Sequence, residues 1–226
     1  MARKTLYLLN IGDYAPELTA LTYPFIERYA DKIGAEIYMI TERKFPDWDL
    51  DYEKLQIHDL SVERGDDWSI YLDSDALVHP ETIDPTELLG RDTVAHNGYD
   101  MALVRWRYDD YFRRDGRNIG SCCWLMVASS WCRDFWKPME DMSFKEAVKN
   151  ISITVEEANT VIKPEHLITD YAVSRNIARY GLKFKSLNEL WQEVGLKEAN
   201  FFFHEYTVPL EEKVKRIRAT IDKWKI

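Results

Sequence analysis

Trp68-Ser69-Ile70-Tyr71-Leu72-Asp73-Ser74-Asp75-Ala76-Leu77-Val78 reads as an apolar strand that runs into two carboxylates one residue apart. Side chains alternate along a strand, so Asp73 and Asp75 point the same way wherever the chain stays extended. Two carboxylates side by side repel, and one takes up a proton unless a cation lies between them. A hard divalent metal meets that need with oxygen ligands. The carboxyl end of a parallel strand is also where open α/β sheets bind ligands. The plainer alternative is a capping Asp followed by a solvated Asp in a turn.

Upstream, Thr5 to Ile11 is a buried-strand run closed by Asn10-Ile11-Gly12-Asp13. Pro16 to Lys32 reads as a helix with Leu21, Phe25 and Tyr29 one turn apart, and Pro24 inside it predicts a kink or a late start. Gly34 ends that helix and Ala35 to Ile40 is a second strand. A loop containing Phe45-Pro46-Asp47-Trp48 leads to a short helix, Tyr52 to Leu60, whose period puts Lys54 and His58 on one face. Strand, helix, strand, helix, strand predicts an α/β fold: a Rossmann-like mixed, mostly parallel sheet flanked by helices, with right-handed crossovers.

Downstream, Asp84 to Gly90 is a capped helical turn, and strands are expected at Thr93–His96, Met101–Val104 and Ser121–Ala128. Arg105 to Arg117 is charged and aromatic without a period and predicts a flap over the site. Leu167 to Tyr180 is a helix stopped by Gly181, and Leu182 to Leu187 a further strand. Leu210, Val214, Ile217, Ile221 and Trp224 form one apolar stripe, so the C-terminal stretch is an amphipathic helix. The chain reads as one domain, 1–226, with halves 1–78 and 79–226.

Composition narrows the function. A net charge of −9 argues against a nucleic-acid partner, whose phosphates ask for a basic face. Three cysteines, Cys122, Cys123 and Cys132, form no Cys-x-x-Cys pair, which argues against a disulfide framework or a zinc site. No apolar run approaches the roughly 20 residues of a membrane span, and the N-terminus lacks a signal peptide's apolar core, so a cytoplasmic location is expected. Eight Trp and thirteen Tyr suit either a heavy core or a sugar site, whose ligand has apolar ring faces.

The element order and Tyr71-Leu72-Asp73-Ser74-Asp75-Ala76-Leu77-Val78 resemble the glycosyltransferase A-type fold (GT-A), in particular its glycogenin-like and lipopolysaccharide galactosyltransferase group. The resemblance implies a metal-dependent glycosyltransferase that transfers a hexosyl unit from a UDP-sugar, with retention, to an acceptor that is a glycan, a lipid-linked glycan or a protein. It implies manganese, or magnesium, on Asp73 and Asp75, with Asp73 also touching the ribose. By order in the chain it puts Asn10, Asp13 and Tyr14 at the nucleobase and Lys54 before the metal motif. It puts Asn118 and Gly120 of Asn118-Ile119-Gly120 beside the donor sugar and Asp170 at the opening of a late helix. His204, after Phe201-Phe202-Phe203, would be the third metal ligand, and Lys213 would take the place of the family's phosphate-binding lysine. The sequence departs from the family pattern at Tyr171, where a Gln is usual. An inverting enzyme would use a carboxylate base, for which Asp109, Asp110 and Asp170 are candidates.

Each secondary residue has a plainer reading. Lys54 would be a solvated helix lysine, Asn118-Ile119-Gly120 a turn, and Asp170 an acid placed for a helix dipole. His79 competes with His204 for the third ligand position. Two other functions remain. A haloacid-dehalogenase-like phosphatase also uses strand-Asp-x-Asp, with the first Asp as nucleophile. A non-catalytic sugar- or partner-binding protein could share the fold.

Overall fold

The structure is a computed structural model that describes residues 2–98, 121–153, 158–160, 163–197, 202–205 and 208–226, the side chains of 98 and 121–123 excepted. Strands β1 (Lys4–Leu9), β2 (Ala35–Ile40) and β3 (Trp68–Leu72) alternate with helices α1 (Pro16–Ile33) and α2 (Ile57–Arg64). A two-residue strand β4 (Leu77–Val78) follows, then β5 (Thr93–Gly98) and β6 (Ser121–Ser129). Helices α3 (Phe144–Val148) and α4 (Ile168–Arg179), strand β7 (Lys183–Ser186), helix α5 (Leu187–Glu193), strand β8 (Phe202–Phe203) and helix α6 (Leu210–Trp224) complete the described elements.

Six strands form one sheet in the order β2-β1-β3-β6-β5-β7. The β1–β2, β1–β3 and β5–β7 pairs are parallel; β6 runs antiparallel to both of its neighbours. The sheet is thus mixed and mostly parallel, as the alternation predicts. It spans both halves of the sequence, since β1–β3 and β5–β7 share it.

Alternation along the strands builds two cores. Leu6, Leu8, Ile70, Leu72, Leu125 and Val127 face one side, against Leu18, Ile26 and Tyr29 of α1 and Ile217 of α6. Tyr7, Tyr71, Met126 and Ala128 face the other, against Phe135, Trp136 and Val173 of α4. This is the period of two expected for strands covered on both faces. Helix α1 continues through Pro24. It ends where Gly34, at φ 66°, donates back to the Ala30 and Asp31 carbonyls. That left-handed conformation favours glycine.

Two expectations need correction. Lys54 lies in a 3-10 turn, Leu50–Gln56, that precedes α2, so it and His58 do not share a helix face. His58 instead sets its Nδ1 2.7 Å from Asp59 Oδ1. The C-terminal helix packs Val214, Ile217, Ile221 and Trp224 on the core as its stripe predicts, but Leu210 is exposed and Lys213 is buried beside Ile217. Met101–Val104 and Arg105–Arg117 lie outside the described residues. Cys132 is a free, buried thiol.

His96 of β5 is wholly buried, between the rings of Phe184 (4.3 Å) and Phe135 (6.4 Å). Its Nδ1 donates to the Asn97 carbonyl at 2.8 Å, and its Nε2 has no partner among the described residues. Burial pushes the imidazole from 6.5 down to about 4, against a smaller opposing effect of that hydrogen bond. The unfolded chain therefore binds the proton first. The stability contributed is whole above pH 6.5 and is lost as pH falls from 6.5 toward 4, by ~3 kcal/mol. Urea unfolding between pH 7 and 4 should show His96→Phe losing about that much less stability than the parent. Parallel loss in both proteins would refute the assignment.

Candidate functional site

Strand β3 is buried along its whole length, which carries its C-terminus to the rim of the sheet. There Asp73 N donates to the Trp124 carbonyl at 2.8 Å, and Ala76 N closes a turn onto the Asp73 carbonyl at 3.0 Å. The two carboxylates therefore converge through a turn and not through strand alternation. Ser74, between them, is anchored: its hydroxyl donates to the Leu9 carbonyl at 3.0 Å, and its own carbonyl accepts from Thr22 Oγ1 at 2.5 Å.

The small β4–β8 ladder brings the other end of the chain to the same place. Leu77 pairs with Phe203 and Val78 with Phe202, so the residue after β8, His204, lies over the turn. Its Nε2 is 3.4 Å from Asp73 Oδ2 and 3.3 Å from Asp75 Oδ1. The indole of Trp124 stacks on the imidazole at 5.4 Å and 21°. Ligand atoms of Asp73, Asp75 and His204 all lie within 4.8 Å of one another. His79 does not join them; its ring packs on Trp224, and its Nδ1 accepts from Glu81 N at 3.1 Å.

Two lysines flank the cluster. Lys54, buried, bridges Asp51 and Asp73, with its Nζ 3.1 Å from Asp73 Oδ1. Tyr71 donates to the same Asp73 oxygen at 2.6 Å. Lys213 of α6, also buried, places its Nζ 2.6 Å from Asp75 Oδ2. Burial alone would raise the Asp75 carboxyl, but the opposing charges and hydrogen bonds of His204 and Lys213 win and hold it well below the usual range. Burial would lower the Lys213 amine; Asp75 overrides it and the net shift is upward. Asp51 is raised, first by burial, with the neighbouring Asp73 charge adding to it. Three carboxylates thus share two ammonium groups, and the His204 ring faces the same point. Two carboxylate oxygens and one ring nitrogen are a donor set that suits manganese or magnesium, with the imidazole favouring the softer manganese.

The loop after β1 borders this cluster. Gly12, Asp13 and Ala15 all have positive φ (73°, 54° and 46°). For Asp and Ala that costs roughly 1–2 kcal/mol each, strain that collects at functional sites. The Asn10 amide is occupied holding this loop, accepting from Tyr14 N at 2.8 Å and donating to Tyr23 Oη at 2.9 Å. Asp13 is exposed. Tyr14 is also exposed, and its phenol is pushed up by partial burial and then by the Asp75 charge, which puts it beside the cluster. Asp170 is buried in the first turn of α4. Its neighbour Thr169 donates to the Asp51 carbonyl at 2.8 Å, which sets that turn against the one carrying Lys54. Asn118 and Gly120 lie outside the described residues.

Asp51, Tyr71 and Trp124 were not singled out from sequence. Tyr71 had a signal, since two residues before Asp73 on a strand is the same face. Trp124 had none: its place depends on the β3–β6 register, in which Leu72 faces Leu125.

No family model matches the chain, and no curated protein matches it by sequence. Among solved structures, a glycosyltransferase involved in the glycosylation of the major capsid of PBCV-1 is similar at a TM-score of 0.53 and 13% identity, over 96% of this chain and 99% of that one. A197 from STIV aligns at a TM-score of 0.37 and 15% identity, over 62% of this chain and 70% of that one, too far in shape to argue from. The first likeness shows the fold: this chain has that of a glycosyltransferase. Among the described residues no helix is long and apolar enough to cross a membrane.

Proposed function

We propose that the chain is a metal-dependent glycosyltransferase that takes a hexosyl unit from a nucleotide-sugar donor, a UDP-sugar, and passes it to an acceptor with retention. The observation that carries this reading is the meeting of Asp73, Asp75 and His204 within 4.8 Å at the end of a central strand. The likeness in fold to a glycosyltransferase supports it.

In this reading Asp73, Asp75 and His204 hold manganese or magnesium. When bound, the ion offsets charge that builds on the departing diphosphate, the main electrostatic task of the transfer. The protein's own groups do the rest. Lys54 and the Tyr71 hydroxyl fix the Asp73 carboxylate, and the Trp124 indole fixes the His204 ring. Lys213 supplies a second positive charge for phosphate oxygens. Tyr14 borders the nucleotide, and Asp170 stands on the side of Lys54. The phosphatase alternative expects Asp-x-Asp after the first strand of its core, whereas here it follows the third in chain order.

Release of UDP from a panel of UDP-sugars tests the proposal. Turnover should rise with manganese more than with magnesium and stop in excess chelator. His204→Ala should abolish the metal stimulation while the protein keeps a cooperative thermal transition, since it removes a ligand and little apolar burial. Full turnover in chelator would end the metal reading. Phosphate release from an aryl phosphate, without UDP-sugar turnover, would favour the phosphatase. Donor binding without turnover would favour a binding protein. The anomeric proton signal of the product tests retention.

A further inference from the structure

We propose that a cavity beside the Leu50–Gln56 turn is a carbohydrate subsite for one neutral sugar ring, separate from the Asp73–Asp75 cluster. Its volume is about 310 Å³, at the small end of ligand sites. Tyr52 and Lys54 are two residues apart on that turn, yet Lys54 reaches Asp73 whereas the Tyr52 hydroxyl accepts from Met139 N at 2.6 Å. The cavity lies on the Tyr52 side, between that turn and Lys137–Glu140. The inference does not depend on the catalytic reading, because a glycan can be held here whether or not it is turned over.

The chemistry of the lining selects the ligand. Trp48 and Tyr52 stack at 3.9 Å and 11°, and Phe45 meets Tyr52 edge-on at 5.3 Å and 78°. Tyr52 is itself buried and backs the wall, which Trp48 and Phe45 present and which loses little side-chain freedom on binding. A pyranose has apolar C–H faces that such a wall can cover and a hydroxyl edge that must be hydrogen-bonded.

The rim supplies that second half. Lys44, Lys137, Asp59 and Glu140 line it with donors and acceptors. Two positive and two negative groups cancel, so the rim has no excess charge to draw a phosphate or nucleotide. Asp59 is further held by Lys44 and by His58, whose Nδ1 is 2.7 Å away. A wholly apolar ligand would strip water from these groups and return no hydrogen bonds. A neutral polyhydroxylated ring satisfies both wall and rim.

Nitrogen–proton spectra of the full chain, without metal or nucleotide, give the test through the Trp48 indole signal, assigned with Trp48→Phe. Methyl glucoside, methyl galactoside and methyl mannoside are titrated, with glucuronate, glucose 1-phosphate and cyclohexanol as controls. At least one neutral glycoside should shift that signal with a Kd on the order of 1 mM or tighter. Glu140→Ala, at an exposed position, should weaken binding about tenfold. Replacing Trp48 would remove the reporting signal, so Lys137→Ala provides a second rim variant that leaves the wall intact, with the same expected weakening. No shift with any neutral glycoside, equal binding of glucose 1-phosphate or cyclohexanol, or unchanged binding in both rim variants would overturn the proposal. His204→Ala, which keeps the fold, should leave this binding as it is, so failure here and failure of the catalytic reading are told apart.

Discussion

Asp75→Ala should weaken manganese binding by at least about 10–100-fold and remove metal-dependent turnover. Loss of an outer-shell partner costs that much, and Asp75 would be a direct ligand. The same substitution carries a second cost. It strands the Lys213 ammonium, whose residue is only 6% exposed, without its carboxylate. Removing one partner of a buried pair costs about 3–5 kcal/mol, a large part of a total near 5–15 kcal/mol. Loss of activity alone would therefore not separate metal loss from unfolding. Asp75→Asn combined with Lys213→Met removes both charges together and should restore most of the stability, because no charge stays buried alone. Manganese affinity, followed by the signal of the free ion in electron paramagnetic resonance, should stay low in that double variant. Parental affinity there would show that Asp75 is not a ligand.

The parts of the fold that could be read from sequence are those governed by local periodicity. β2 and β3 begin and end where their apolar runs do, and α1 stops at Gly34 because the backbone there needs positive φ. The antiparallel entry of β6 beside β3 is a matter of long-range pairing, and no local pattern encodes it. At the site, Asp73 and Asp75 were legible from spacing, but the reason they converge was not. Strand alternation suggested it, whereas the turn closed by Ala76 N achieves it. His204 was legible only as a histidine after an apolar run, and the β4–β8 ladder is what brings it over the turn. Lys54 fell in a 3-10 turn, where residues follow a period nearer three, so helical phase predicted the wrong companion in His58. In α6 the apolar stripe was legible but the burial of Lys213 was not: a buried lysine is rare unless paired, and its partner Asp75 is far away in the sequence.

Removing Leu210–Trp224 should leave a chain that does not fold cooperatively. Ile217 is wholly buried, and Val214, Ile221 and Trp224 pack on the cluster shared with α1 and β3. Full burial of such side chains is worth ~1.5–3 kcal/mol each, so even partial burial of the last three sums to a large part of a ~5–15 kcal/mol total. Truncation would also leave Asp75 without Lys213, so it acts on core and site together. A truncated chain with a cooperative transition near the parental midpoint would show the helix to be an appendage. Two point variants check the helical phase behind this argument. Ile217→Ala should cost about 2–5 kcal/mol in urea unfolding, as truncation of a buried isoleucine does. Leu210→Ala should stay within about 0.5 kcal/mol, because Leu210 is 37% exposed despite falling on the apolar stripe. If the two cost the same, Leu210 packs on the core as Ile217 does, and the exposed position described for it is wrong.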